Sequence, residues 1–458
     1  MSRKNKHLVI IGNGIAGVTC ARHVRRYDPD IRITLISEES AHFYSRTALM
    51  YIYMGHMTYA HTKPYEDSFW PKNRLELLQA RVESVHPKEK VLRLKGQESP
   101  FSYDILVIAS GSRPRMLPVP GSEGPGVQGL YHLQDLERLE AMSPYLKQAV
   151  LIGGGLIGVE WAEMLLSRGV QVHFLVREKH FWNTVLDARE GQLLDRHLRE
   201  HGVQLHLETE ASEILRDATG QVSAVRTSKG ELLPAQLAGI SIGVTPNIDF
   251  LEGSGIVCGR GVRVDALNRT SEADIYAIGD CAEFQEAPAP GRKTLEQVWY
   301  TGRMQGEALA HTLCHPEDPS PYKPGPWFNS AKFFDIEYQT YGDVPAELRA
   351  GEQDLYWEHP EGKIALRLLF SQEASSDAVP RFLGVNSFGW RLRHAYFDQA
   401  LRAGYPITRV LEELESASFD AEFSPRHAPK VRAAFRAATG LAVREPRKKS
   451  FFRFLFSS

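Results

Sequence analysis

Two stretches of this chain repeat one pattern, and that repeat constrains its fold more than any other feature. Leu8–Glu39 reads LVIIGNGIAGVTCARHVRRYDPDIRITLISEE, and Ala149–Lys179 reads AVLIGGGLIGVEWAEMLLSRGVQVHFLVREK. Each is an apolar strand, a G-x-G-x-x-G turn, a helical stretch and a second β-branched strand. The glycines are Gly12, Gly14 and Gly17, then Gly153, Gly155 and Gly158. The first permits a tight turn, the second lets the backbone approach a pyrophosphate, and the third lets helix lie against strand. The helix start then offers free N–H groups and a positive dipole end to phosphates. Ala16 and Ile157, inside the motifs, count with the glycines as binding positions. One such motif says little. Two in the same context predict an α/β chain with two Rossmann-like nucleotide-binding domains.

The second strands end differently. Ile36-Ser37-Glu38 places a carboxylate where ribose hydroxyls are held, whereas Leu175-Val176-Arg177 places a cation suited to a 2′-phosphate. The first site therefore suits an adenosine without a 2′-phosphate, and the second leans to NADP, with Lys179 and His180 adding positive charge. Glu178 argues the other way, as a ribose acceptor or as the partner of Arg177. NADPH or NADH stays open.

Composition sets outer bounds. With 54 Lys and Arg against 56 Asp and Glu, the 458 residues carry a net charge of −2, so nucleic acid is not an expected partner. No apolar run approaches the ~18 residues of a membrane helix. The apolar stretch after the basic Met1–His7 is too short for a signal peptide. Four scattered cysteines, Cys20, Cys258, Cys281 and Cys314, make no disulfide scaffold. A cytoplasmic enzyme is expected, monomer or homodimer. His311, Cys314 and His315 can share a helix face but lack a fourth ligand, so no metal is expected.

Further motifs follow in order: Tyr103-Asp104-Ile105-Leu106-Val107-Ile108-Ala109-Ser110-Gly111-Ser112-Arg113-Pro114, Ala80-Arg81-Val82, Ile240–Asn247 with Gly243, and Ile275-Tyr276-Ala277-Ile278-Gly279-Asp280. With the repeat, they resemble the FAD-dependent pyridine nucleotide-disulfide oxidoreductase family from about Leu8 to Asp343. The resemblance implies FAD in the first site and NADPH or NADH in the second. It implies that Val82 lies on the strand end that holds adenine. Ala109, Gly111 and Arg113 fall in the second FAD motif, and Gly279 and Asp280 in the third, whose aspartate binds the ribitol chain. A helix is expected from Cys281 onward, interrupted by Pro288.

Members that reduce disulfides relay electrons through cysteines beside the flavin. Some peroxidase and CoA-disulfide branches use one cysteine, at a position that falls in Phe43-Tyr44-Ser45-Arg46-Thr47-Ala48-Leu49; that stretch has none, and no C-x-x-C occurs. The chain is similar instead to the branch of ferredoxin and rubredoxin reductases, nitrite-reductase-associated flavoproteins and apoptosis-inducing factor. Tyr44, Arg46 and Leu49 match that branch's pattern, whereas its proline is missing and Met50 replaces a small polar residue. The resemblance implies that Arg46 sits beside the flavin and that Glu160 points toward its N5 edge. It implies that Trp299 stacks near the ring, with Glu296 and Gln297 at the pyrimidine end.

The expected organisation is an FAD domain of 1–122 and 245–322, an NAD(P) domain of 123–244, an α+β C-terminal domain of 323–440 and a basic, aromatic tail of 441–458. Strands are expected over Ile336–Gly342 and near 353–358, 363–370 and 380–388, with a helical region from Arg391 to Glu415. The implied function is transfer of electrons from NAD(P)H through FAD to a small iron–sulfur or rubredoxin-like protein. Two alternatives stand beside it. One is a quinone reductase touching a membrane through the tail, since basic and aromatic residues together can bind an anionic surface. The other is a binding module switched by the redox state of its flavin.

Overall fold

The computed structural model describes residues 6–372, 379–420, 422 and 425–445. Tail residues 446–458 lie outside the described residues, and the proposed membrane contact with them. Two compact units form, one of residues up to 177 with 202–324, the other of 178–201 with 325 onward. The stretch 178–201, inside the 123–244 segment by sequence position, thus belongs to the second unit.

The first unit holds the repeat as two five-stranded parallel sheets. In the first, β1 (His7–Ile11) runs between β2 (Arg32–Ser37) and β3 (Ile105–Ile108), with Leu75–Gln79 and Ile275–Ala277 at the edges. Leu8, Val9 and Ile10 are fully buried, as a strand covered on both faces requires. The chain then turns into α1 (Ile15–Tyr27). In the second sheet, β4 (Gln148–Ile152) runs between the strand Leu237–Ile240 and β5 (Gln171–Val176), with α2 (Leu156–Ser167) joining β4 to β5. The turns match as well. Gly12 N–H donates to the Ile36 carbonyl at 2.7 Å, and Gly153 N–H to the Leu175 carbonyl at 3.0 Å.

The chain crosses between the two folds through Ser112–Pro114 and returns through Val244–Pro246. These crossings pair antiparallel with each other. No helix starts at Cys281. Gly279–Cys281 is one 3-10 turn, and Ala282–Phe284 continues as a buried strand beside Val262–Val264. Its side chains are needed in the core, and Pro288 and Pro290 close the following stretch to helix. The helix forms at Trp299–Cys314 and lies along α1. A Cβ at Gly306 would stand 2.6 Å from the Ala16 carbonyl oxygen, so only glycine permits that approach.

The second unit contains a five-stranded antiparallel sheet, and its Ile336–Gly342, Glu352–Glu358, Ala365–Ser371 and Phe382–Phe388 strands fall at or within about two residues of the expected positions. Gly404 and Pro406 break the expected 391–415 helix into His394–Arg402, Ile407–Glu412 and Leu414–Ala417. A helix over Ala428–Thr439 was not anticipated, although Pro429 at its start and Gly440 at its end are ordinary signals. Helix α3 (Ala188–Glu200) also belongs here. Asp187 and Glu190 cap it reciprocally at 2.9 and 3.0 Å, and Glu190 reaches the buried Arg367 at 3.2 Å and Asn386 at 2.9 Å. Among the described residues, no helix is long and apolar enough to cross a membrane.

Candidate functional site

A cavity of about 740 Å³ opens at the carboxyl ends of the first sheet. Parallel strands leave their ligand crevice there. Of the residues singled out above, Gly12, Gly14, Ala16, Glu38, Arg46, Val82, Ala109, Gly111, Arg113, Gly279, Asp280 and Trp299 line it.

Gly12 has φ +114°, and a Cβ on it would stand 2.1 Å from the Ala109 carbonyl oxygen. Gly17 does not line the cavity. It packs α1 onto the turn, where a Cβ would meet the Gly12 carbonyl at 2.2 Å. Gly14 is the opposite case. It begins α1 with ordinary φ −72°, and nothing lies within 4 Å of a Cβ there. No side chain caps α1 and no acidic residue sits in its first turn, so its N–H groups are left for an anion.

Asp280 lies deep in the cavity. Ser112 Oγ donates to it at 3.1 Å, and Gln297 Nε2 donates to Ser112 Oγ at 2.8 Å. Gln297 thus acts through Ser112. Among the described residues, Ser112 is the sole hydrogen-bond donor to Asp280. Burial pushes the Asp280 carboxyl up to about 6, with Ser112 and Arg46 offsetting part of that. A polyol donating its hydroxyls here would bind the ionised form better. Flavin affinity is therefore expected to rise with pH through about 6 and level off above it. Fluorescence titration of the apoprotein with FAD between pH 5 and 7.5 checks this, and Asp280→Asn is expected to flatten the profile.

Sequence reasoning missed Glu39. It accepts from the Tyr44 hydroxyl, from Arg46 Nη2 and, at 3.0 Å, from the Leu133 N–H; His132 Nδ1 stands 3.4 Å away. Burial alone would raise this carboxyl, but the His132 ring, Arg46 and Tyr44 outweigh it and hold it down at about 2. Arg46 lies over the Tyr131 ring at 4.6 Å. Glu38, the residue chosen from sequence, is 62% exposed and faces Arg81 at 3.5 Å, at the cavity edge. Arg113 pairs with Asp249, bonding through Nη2 at 2.9 Å.

Glu296 is not on the cavity wall. It is buried against Arg292 at 2.8 Å and the Tyr322 hydroxyl at 3.2 Å, which use both its oxygens. Arg46 and Trp299 meet at the cavity, but Glu160 does not line it. Glu160 sits on α2, where burial, with the charge of Glu163 adding, pushes its carboxyl up to about 7. No cysteine lines the cavity. Cys20 and Cys281 are buried, and none of the four cysteines is in a disulfide.

The second motif repeats the first in outline. Gly153 has φ +116° with the Ser241 carbonyl 2.5 Å from a Cβ, and Gly158 packs against Phe174. Gly155 begins α2 without a side-chain cap, and Ile157 is in its first turn. Gly243, φ +100°, has open space around it. Arg177 follows β5 and is exposed.

The residues present fit a dinucleotide carrying a pyrophosphate and a polyol: open space at Gly14, an uncapped helix start, and a half-buried carboxylate on the cavity wall with one protein donor. Two such turns, each at the end of a parallel sheet, define a protein that binds two dinucleotides. The chain belongs to the pyridine nucleotide-disulphide oxidoreductase family, whose model matches residues 6–306. It is 32% identical over 339 residues to the ferredoxin–NAD(+) reductase subunit of the benzene 1,2-dioxygenase system of Pseudomonas putida, covering 74% of this chain and 81% of that one. A rubredoxin-NAD(+) reductase of Acinetobacter baylyi is 30% identical over 313 residues, covering 67% and 78%. Among solved structures, the ferredoxin reductase for the CYP199A2 system of Rhodopseudomonas palustris superposes with a TM-score of 0.77 at 25% identity, covering 91% and 98%. The chain therefore binds FAD and a nicotinamide nucleotide.

Proposed function

We propose that this protein passes electrons from NAD(P)H through FAD to a small iron–sulfur or rubredoxin-type protein without a cysteine relay. Residues 1–122 and 245–322 hold FAD, and 123–244, apart from the 178–201 stretch, the nicotinamide nucleotide. The observation that carries this reading is a flavin cradle with no cysteine on its wall, in a chain similar to ferredoxin and rubredoxin reductases. When bound, FAD supplies the conversion of a two-electron hydride donor into single electrons. The chain's own residues bind and orient. Gly14 and the start of α1 take the pyrophosphate, and Asp280 takes ribitol hydroxyls. Arg46, held by Glu39, fixes a cation at the wall that offsets charge gained on reduction. Trp299 closes the side from which electrons leave. The test is anaerobic mixing of the NADH-reduced holoprotein with a rubredoxin, a [2Fe–2S] ferredoxin and a quinone. Rapid reduction of a protein acceptor is expected. Exclusive reduction of the quinone overturns the reading.

Both NADH and NADPH are accepted in this reading, and Arg177 sets the ratio through a 2′-phosphate contact. A charge-assisted hydrogen bond is worth roughly 1.5–3 kcal/mol, about tenfold or more in affinity. Arg177→Glu is expected to cut the NADPH:NADH ratio of stopped-flow reduction rates about tenfold. An unchanged ratio removes Arg177 from the specificity.

A further inference from the structure

We infer that the second unit carries a divalent transition-metal site, with zinc as the fitting ion, formed by His197 and His201 near the end of α3 and Asp335 in the turn between the strands Phe328–Phe333 and Ile336–Gly342. The two histidines are four residues apart, on one helix face, the spacing that lets two imidazoles share an ion. Their Nε2 atoms converge on one carboxylate oxygen, Asp335 Oδ1, at 2.9 Å from His197 and 3.2 Å from His201. Tetrahedral zinc with bonds near 2.0–2.1 Å sets its ligand atoms about 3.3 Å apart, so both separations are close to tetrahedral edges. The three ligand atoms all lie within 4.8 Å of one another.

The hydrogen bonds around the cluster point to a cation. His201 Nδ1 bonds to the His197 carbonyl at 2.9 Å and must donate there. That leaves His201 Nε2 in the neutral ring as a lone pair facing a carboxylate oxygen. Two acceptors 3.2 Å apart need a proton or a metal between them. A backbone carbonyl on the far nitrogen is also the usual way a metal-binding imidazole is oriented. His197 is buried, and its Nδ1 has no hydrogen-bond partner. All its polar contacts are at Nε2, toward Asp335 and the Phe333 carbonyl at 3.0 Å. Ligation by His197 puts the ring proton on Nδ1 and presents the Nε2 lone pair to the ion. Lys363 Nζ occupies the other oxygen, Asp335 Oδ2, at 3.0 Å, leaving Oδ1 for the ion. Asp335 is 54% exposed, so the fourth position opens to water.

The test is calorimetric titration of the chelator-treated holoprotein with zinc chloride, alongside thermal unfolding with and without the ion. One zinc per chain is expected, with a higher unfolding temperature. His201→Gln and Asp335→Asn are each expected to weaken binding by roughly tenfold or more and to remove the thermal shift. Both residues are partly exposed, so the variants are expected to fold, with unchanged flavin absorbance as the check. Cys258→Ser, which removes the exposed thiol, is expected to keep the uptake. No uptake by the full chain would mean that a proton fills the gap and would overturn the site. Uptake that survives both ligand substitutions would overturn it equally.

Discussion

Gly12→Ala is expected to yield a chain that neither holds flavin nor folds to a stable first unit, whereas Gly14→Ala is expected to fold normally and lose flavin. The two residues are neighbours in one motif but are required for different reasons. At Gly12, the backbone is left-handed at φ +114° and a Cβ would overlap the Ala109 carbonyl at 2.1 Å. Neither atom is the end of a flexible side chain, so β1, its turn and the 105–109 strand must separate. At Gly14, the backbone is ordinary and the space is empty. The protein itself loses nothing there; the pyrophosphate loses its approach to the helix N–H groups. Apoprotein stability by urea unfolding and FAD affinity by fluorescence separate the cases. A Gly14→Ala protein that binds FAD as tightly as the natural chain would refute the cradle.

Replacing Glu39 by glutamine is expected to cost about 3 kcal/mol of stability near neutral pH. A carboxyl held near 2 instead of its ordinary 4.5 corresponds to roughly that much. The sign follows from the direction of the shift. The folded state favours the ionised form, so the contribution is complete above pH about 4.5 and disappears as pH falls toward about 2. The gap between natural chain and variant should therefore narrow over that interval, which urea unfolding at a series of pH values measures. The variant is also expected to retain FAD less well, since Arg46 loses its fixed partner. An equal gap at pH 7 and pH 3 would show that Glu39 acts through shape and not charge.

Why Glu39 escaped the sequence reading is instructive. Glu38 and Glu39 are adjacent, and a strand end offers no rule for which carboxylate turns inward. The choice is made by Leu133, 94 positions away, whose N–H donates to Glu39. Tyr44 and Arg46, five and seven residues on, were the local signal, since both need a buried acceptor. Glu296 shows another limit of local pattern. Its cofactor role was implied by resemblance of the 295–306 stretch to a family helix, whereas in the fold it pairs with Arg292, four residues before it. The glycine motifs were legible because the left-handed turns at Gly12 and Gly153 and the approach of Gly17 to the Gly12 carbonyl lie within the motif, although Ala109 and Ser241 crowd those turns from distant strands. Asp280 was legible because strand, Gly and Asp occur as a unit. The Cys281 helix misled because burial of Ala282 and Phe284 is decided by the neighbouring strand Val262–Val264, which local pattern does not reveal.

The paired crossings Ser112–Pro114 and Val244–Pro246 have a mechanical consequence. A single connection between two lobes is a swivel. Two connections zipped edge to edge become a strap, which resists torsion and bends only about its own flat axis. Cutting the backbone at either crossing, while leaving every ligand-binding residue intact, should slow hydride delivery by loosening alignment, and restoring the strap with an engineered covalent staple should recover it.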